Sequence, residues 1–214
     1  MPQKGMQISR RFWIHAFQGL LWLGVIRGSG MLAGTRPGVT FNTSLDEALP
    51  LVPEAVWFYL LLYAFPPVMI GLWIFNDKAR AGIGRFFLAL WIATGVSVIC
   101  YIAWPLRFDY ASCPDTFSGR TLAALLSFDF DPPANKFPAF HATLPVLCCL
   151  AMRGAVPRSW LVCAWIAAAG VAVSAFLVEQ HLVMDVVAGA ALGFLAWALS
   201  SVIERRSFRP SFRS

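Results

Sequence analysis

The sequence predicts an all-α integral membrane protein, a single bundle of six transmembrane helices with both termini cytoplasmic. Three observations carry this. The 214 residues are 58% hydrophobic and only 13% charged, against about 25% charged residues in soluble domains. The apolar residues fall in runs of about 20, the length that carries a helix across a bilayer core. The basic residues sit in short clusters between those runs, predominantly on one side.

Taken in order, the spans cover 12–33, 55–75, 85–104, 138–152, 160–178 and 182–203. The first contains His15 and Arg27, the second Pro66 and Pro67, and the fourth is short. With the N-terminus inside, the inner segments hold Lys4, Arg10, Arg11, Lys78, Arg80, Arg85, Arg153, Arg158, Arg205, Arg206, Arg209 and Arg213, twelve of the seventeen Lys and Arg. The outer segments hold four: Arg36, Arg107, Arg120 and Lys136. Adding or removing one helix scrambles that asymmetry, so the count supports six spans. It also explains the net charge of +6 without nucleic acid as a partner.

The first span has a basic start like that of a signal peptide, but it is long and interrupted by His15 and Arg27, so it reads as a retained helix. Two outer segments are long. The stretch 34–54 carries Asp46, Glu47, Pro50 and Pro53 and suits a short interfacial helix, whereas 105–137 is richer in charge. The inner loops are short and there is no internal repeat, so 1–214 is one membrane domain. Its basic tail, 205–214, suits contact with anionic headgroups. Four of the five cysteines lie in apolar runs and only Cys113 lies in a loop, which gives no disulfide framework. No His/Cys spacing suggests a metal, and no cofactor is expected.

Polar groups at membrane depth are costly and need a reason. In this topology His141 opens the fourth span, while His181 and Asp185 open the sixth, all at the outer face. The three therefore reach one membrane level. His181 and Asp185 are four residues apart and share a helix face. A carboxylate there fixes the imidazole tautomer and leaves the other ring nitrogen free to attack. Gly189 and Gly193 continue the same rhythm as a small-xxx-small pattern for close helix approach, which turns the His–Asp face into the bundle.

The segment 131–141, ending Phe-Pro-Ala-Phe-His141, resembles the second motif of the type 2 phosphatidic acid phosphatase superfamily, usually Pro-Ser-x-His. The stretch Ser174-Ala175, then five residues to His181 and three to Asp185, resembles the third, usually Ser-Arg-(five)-His-(three)-Asp. Asn135 and Phe137 before the proline, and the stretch 45–63, resemble the inositol-phosphorylceramide-synthase-like branch. The resemblance implies a metal-independent lipid phosphatase or phosphotransferase. In it His181 is the nucleophile that forms a phosphohistidine, Asp185 orients it and His141 is the general acid. Arg107, Lys136, Ala139, Phe140 and Ser174 fall at phosphate-binding positions. The implied partner is a phosphorylated membrane lipid. With no organelle signal in a short, compact chain, the expected location is a bacterial inner membrane with the site facing the periplasm.

Two departures stand out: Ala139 replaces the usual Ser, and Ala175 the usual Arg. They keep a phospho-headgroup transferase and a weak or inactive lipid-binding scaffold as alternatives. A transporter with a His–Asp relay is a further reading, for which internal repeats or helices broken at mid-membrane would speak.

Overall fold

A computed structural model describes residues 3–40, 43–106, 112–127 and 134–207. Among them the fold is helical, with one isolated bridge between Val39 and Leu106. Helix α1 (Gln3–Gly34) runs 32 residues. It starts well before the apolar run because the basic stretch after Pro2 contains no further proline. After it comes a short helix, α2 (Ser44–Ala48), capped by a reciprocal pair. There the Thr43 hydroxyl accepts from the Asp46 amide and the Asp46 carboxylate accepts from the Thr43 amide.

The rod Pro53–Phe75 is continuous but not uniform. A 3-10 turn (Pro53–Ala55) leads into α3 (Val56–Tyr59), a second 3-10 stretch (Leu60–Ala64) and α4 (Phe65–Phe75). Pro66 and Pro67 cause this. They lack the N–H groups that α-helical bonds to the carbonyls of Leu62 and Tyr63 require. The chain tightens before them, and the Phe65 amide bonds to the Leu62 carbonyl instead. Asn76 then caps α5 (Asp77–Ala81) and also donates to the Ala155 carbonyl at 2.8 Å, which joins two turns at one end of the bundle. The remaining helices are α6 (Ile83–Ala103), α7 (Phe117–Leu126), α8 (Phe140–Met152), α9 (Arg158–Leu177) and α10 (Val183–Ser207).

Among the described residues, four helices are long and apolar enough to cross a membrane: Pro53–Phe75, Ile83–Ala103, Arg158–Leu177 and Val183–Arg206. Helix α8 is apolar too, but its 13 residues rise only about 20 Å. The bundle keeps large apolar side chains on its outside, among them Leu20 at 69%, Ile99 at 68%, Ile166 at 67% and Leu195 at 67% exposure. Water-soluble surfaces rarely carry so much contiguous apolar area, and the arrangement is consistent with an integral membrane protein.

Helix α10 packs against α8 and α6, α8 against α9, and α1 against α6. Helices α8 and α10 run the same way with their N-termini together. The contact is close because Gly189 has no side chain: a Cβ there would overlap the Ala139 carbonyl. Thr143, buried on α8, donates to the Gly189 carbonyl at 2.8 Å, the kind of polar contact that holds helices together without water. We expect Gly189→Ala to lower stability by about 1–3 kcal/mol through overpacking, read as a lower midpoint of thermal unfolding in detergent. Gly84→Ala, where an added carbon meets nothing within 4 Å, should not.

Candidate active site

Three segments meet at the N-terminal ends of α8 and α10. The first is the exit from α9. The Gln180 amide bonds to the Ala175 carbonyl at 3.0 Å and the Glu179 amide to the Phe176 carbonyl at 3.1 Å. With Glu179 at a φ of 55°, this is a Schellman C-cap in which glutamate takes the left-handed position that glycine usually fills. The His181 amide also reaches the Ala175 carbonyl, at 3.1 Å. A tight reversal thus delivers Gln180 and His181 from α9 directly to the start of α10.

The second segment is the start of α10. The amides of His181, Leu182 and Val183 each find an acceptor from a different source. His181 uses the Ala175 carbonyl, Leu182 the Asp185 Oδ2 at 3.0 Å, and Val183 the Asp46 Oδ1 at 2.9 Å. Asp185 is thereby the side-chain cap of its own helix, and Asp46 caps it from 137 residues away in sequence. The third segment is the approach to α8. The Tyr101 hydroxyl donates to the Pro138 carbonyl at 3.1 Å, and the Ala139 amide donates to the Asp185 carbonyl at 2.9 Å.

This scaffold brings His141 and His181 together. His141 Nδ1 lies 2.6 Å from His181 Nε2, a distance that shares one proton between the rings. His181 Nδ1 lies 3.7 Å from Asp185 Oδ2. That is an ion-pair distance, longer than a hydrogen bond, because the same oxygen accepts from the Leu182 amide. His181 is 3% exposed and Asp185 0%, and among the described residues Asp185 Oδ1 has no hydrogen-bond partner. His141 is only partly buried, and the Tyr59 ring lies 5.1 Å from its own.

Lys136 is 1% exposed and donates to Gln180 Oε1 at 3.3 Å. This puts a cation one residue from His181 along the chain. Ala139 is fully buried with its amide on Asp185, and Phe140 packs on Trp22 with ring centroids 5.4 Å apart. The Ser174 hydroxyl is buried and donates to the Val171 carbonyl at 2.9 Å, so it serves its own helix. Arg107 lies outside the described residues. The floor beneath the histidines is apolar, built from Ala139, Ala142, Ala175 and Val186. No group of three or more His, Cys, Asp or Glu suited to a metal ion occurs among the described residues.

Sequence reasoning placed both histidines and Asp185 but missed Tyr59, Tyr101, Gln180 and Asp46. Only Asp46 carried a signal, the Thr-x-x-Asp capping pattern, and that pattern says nothing of Val183. Two helix N-termini, a buried lysine and two imidazoles in mutual contact suit an anionic, phosphate-like group. Residues 103–209, half of the chain, match the PAP2 superfamily. The chain belongs to the PAP2 superfamily. No curated protein matches the sequence. PAP2 membership supports an enzyme of the lipid phosphatase or phosphotransferase type, and with the apolar helices it is consistent with a membrane lipid as substrate.

The Asp46 bridge has a pH signature. Burial pushes its carboxyl up. Hydrogen bonds from the Thr43 side chain, the Val183 amide and the Thr43 amide outweigh that and hold it below its ordinary value of 3.8. A depressed carboxylate adds stability above its unfolded value and loses it as pH falls through the folded one. The Val183 amide should therefore lose hydrogen-exchange protection as pH drops below about 3.8. Asp46→Ala should show the same loss at neutral pH, while amides in the middle of α6 keep theirs.

Proposed function

We propose that this PAP2 protein is a metal-independent phosphatase of a lipid phosphate or pyrophosphate, working through a phosphohistidine on His181. The observation that carries this is the run Asp185–His181–His141, with the His181 Nε2 facing the other imidazole at 2.6 Å. Asp185 holds the Nδ1 side of His181 and stabilises the cation that forms as Nε2 attacks phosphorus. The bond from phosphorus to the lipid oxygen breaks, and that oxygen takes the proton from His141 acting as general acid. His141 then removes a proton from water. The resulting hydroxide displaces His181 and releases phosphate, and both imidazoles return to their starting states.

The phosphoryl group has no room between rings 2.6 Å apart, so substrate binding separates them. Lys136, Arg107 and the N-termini of α8 and α10 supply the positive field for the equatorial oxygens. That field takes the part usually played by the Ser and Arg whose positions Ala139 and Ala175 occupy. In the membrane, six spans with both termini cytoplasmic put this site at the outer face, periplasmic in a bacterial inner membrane. The distribution of basic residues supports that orientation.

The test is phosphate release from phosphatidic acid, phosphatidylglycerol phosphate and a polyprenyl pyrophosphate by purified protein with a chelator present. Release should persist under chelation and disappear in His181→Ala. In His141→Ala it should fall by about 10²–10⁴ for lipids with a poor leaving group. Denaturing gels after brief exposure to ³²P-labelled lipid should show acid-labile label on the wild type and none on His181→Ala. Label without phosphate release, discharged only by a lipid alcohol, would replace hydrolysis with the headgroup transfer of the inositol-phosphorylceramide-synthase-like branch. Neither label nor release from any substrate would sink the catalytic reading.

A further inference from the structure

A cavity of about 870 Å³ lies among α1, α4, α6 and α8, a volume within the ~300–1,000 Å³ range of small-molecule sites. Its walls are apolar and aromatic, with Trp22, Met69, Trp73, Phe87 and Leu90 prominent. The chemistry of the histidine pair does not use it.

Its position is informative. Leu144 and Cys148 line it, three and seven residues beyond His141, so all three share one face of α8. Helix rise puts Leu144 about 4.5 Å and Cys148 about 10 Å below His141. The cavity therefore begins about one turn beneath the histidine and continues along the same face. Its mouth opens sideways, where Ile14, Leu20 and Ile70 are 46%, 69% and 43% exposed. At its upper end Trp22 meets Phe140, the residue before His141.

The far end is polar, formed by Arg80 and the exposed Asp77. Arg80 Nε donates to the Trp73 carbonyl at 2.8 Å, one terminal nitrogen donates to the Ile74 carbonyl, and the other pairs with Asp77 at 2.7 Å. The guanidinium is committed to the C-terminal carbonyls of α4, so this floor offers no seat for a second headgroup. An apolar wall, a lateral mouth and alignment beneath His141 suit a hydrocarbon chain whose polar end lies at the histidines.

The geometry points to this cavity as the subsite for one hydrocarbon chain of the lipid whose phosphate reacts at His181, an assignment that rests on the catalytic reading above. Along α1 the lining runs from Ile14 to Trp22, about 12 Å of helix rise. That is close to the ~15 Å hydrocarbon depth of one leaflet.

The test uses the full chain in phosphatidylcholine nanodiscs and two readouts. In the first, phosphatidic acid with a diazirine near one chain end is photolysed and the adducts are mapped. The expected labels fall on Met69, Cys148 and the α1 segment 14–22. They should drop at least tenfold in Gly19→Phe and in Ile70→Trp, which fill the mouth; an added carbon at Gly19 meets nothing within 4 Å. Phosphatidylcholine with the same diazirine should label these positions several-fold less. Equal labelling by the two lipids, or labels only on outward-facing residues, would overturn the subsite.

The second readout is the ratio of kcat/KM for dipalmitoyl over dioctanoyl phosphatidic acid. It should fall at least tenfold in both variants. An equal fall for both chain lengths, or none, would overturn the subsite while leaving the phosphohistidine chemistry intact. Absence of turnover in the wild type would count against the catalytic reading alone, and the labelling would still decide whether a lipid phosphate prefers the cavity.

Discussion

The site depends on how closely α8 approaches α10. Gly189 lets the α10 backbone come against Ala139, and Thr143 ties the two helices through the Gly189 carbonyl. Only at that separation can the Ala139 amide reach the Asp185 carbonyl, and only then do His141 and His181 come within 2.6 Å. In a bilayer no hydrophobic force brings helices together, so small residues and internal hydrogen bonds must do it. A glycine two turns along from His181 therefore bears on the placement of the two histidines as directly as Asp185 does.

The turn that carries His181 shows the same economy of acceptors. Helix N-termini leave amides without intrahelical partners, and unsatisfied amides in an apolar setting are expensive. Here Ala175, Asp185 and Asp46 take one each. Asp185 consequently serves two masters: its Oδ2 caps Leu182 and also faces the His181 Nδ1 at 3.7 Å. The longer imidazole contact follows from that sharing. Substitution of Asp185 disturbs both the helix start and the imidazole, so its effect on rate is not a measure of electrostatics alone.

Much of this architecture is legible in the sequence, for a simple reason. Long apolar runs declare helices in any context, but the shared helix face expected of His181 and Asp185 does not form: α10 starts at Val183, and His181 lies in the turn before it. Glu179 is illegible because nothing local marks a glutamate for a left-handed conformation; the packing of Gln180 and His181 imposes it. Asp46 announces a cap for α2 but not its second bond across to Val183. The two 3-10 stretches follow from Pro53, Pro66 and Pro67 once the rod is seen, yet the sequence suggests only an interruption. Lys136 reads as a loop cation and is instead buried against Gln180. That burial is a long-range contact, between residues 44 apart, which no window of residues encodes.

Ala139 and Ala175, which looked like losses, have structural work in these positions. Ala139 is fully buried against the α10 backbone and Ala175 is fully buried where its carbonyl accepts two amides. Both sit in an apolar cluster with Ala142, Val178 and Val186, where a hydroxyl or guanidinium is costly to bury without a partner. A buried cation is present instead on Lys136, which donates to Gln180, the residue before His181. Retaining two imidazoles and a buried carboxylate in contact is costly at membrane depth. A scaffold that only held lipid would gain stability by replacing them with apolar groups of similar size. Their presence, on a frame that spends so many hydrogen bonds fixing their orientation, is the physical argument for chemistry at this site.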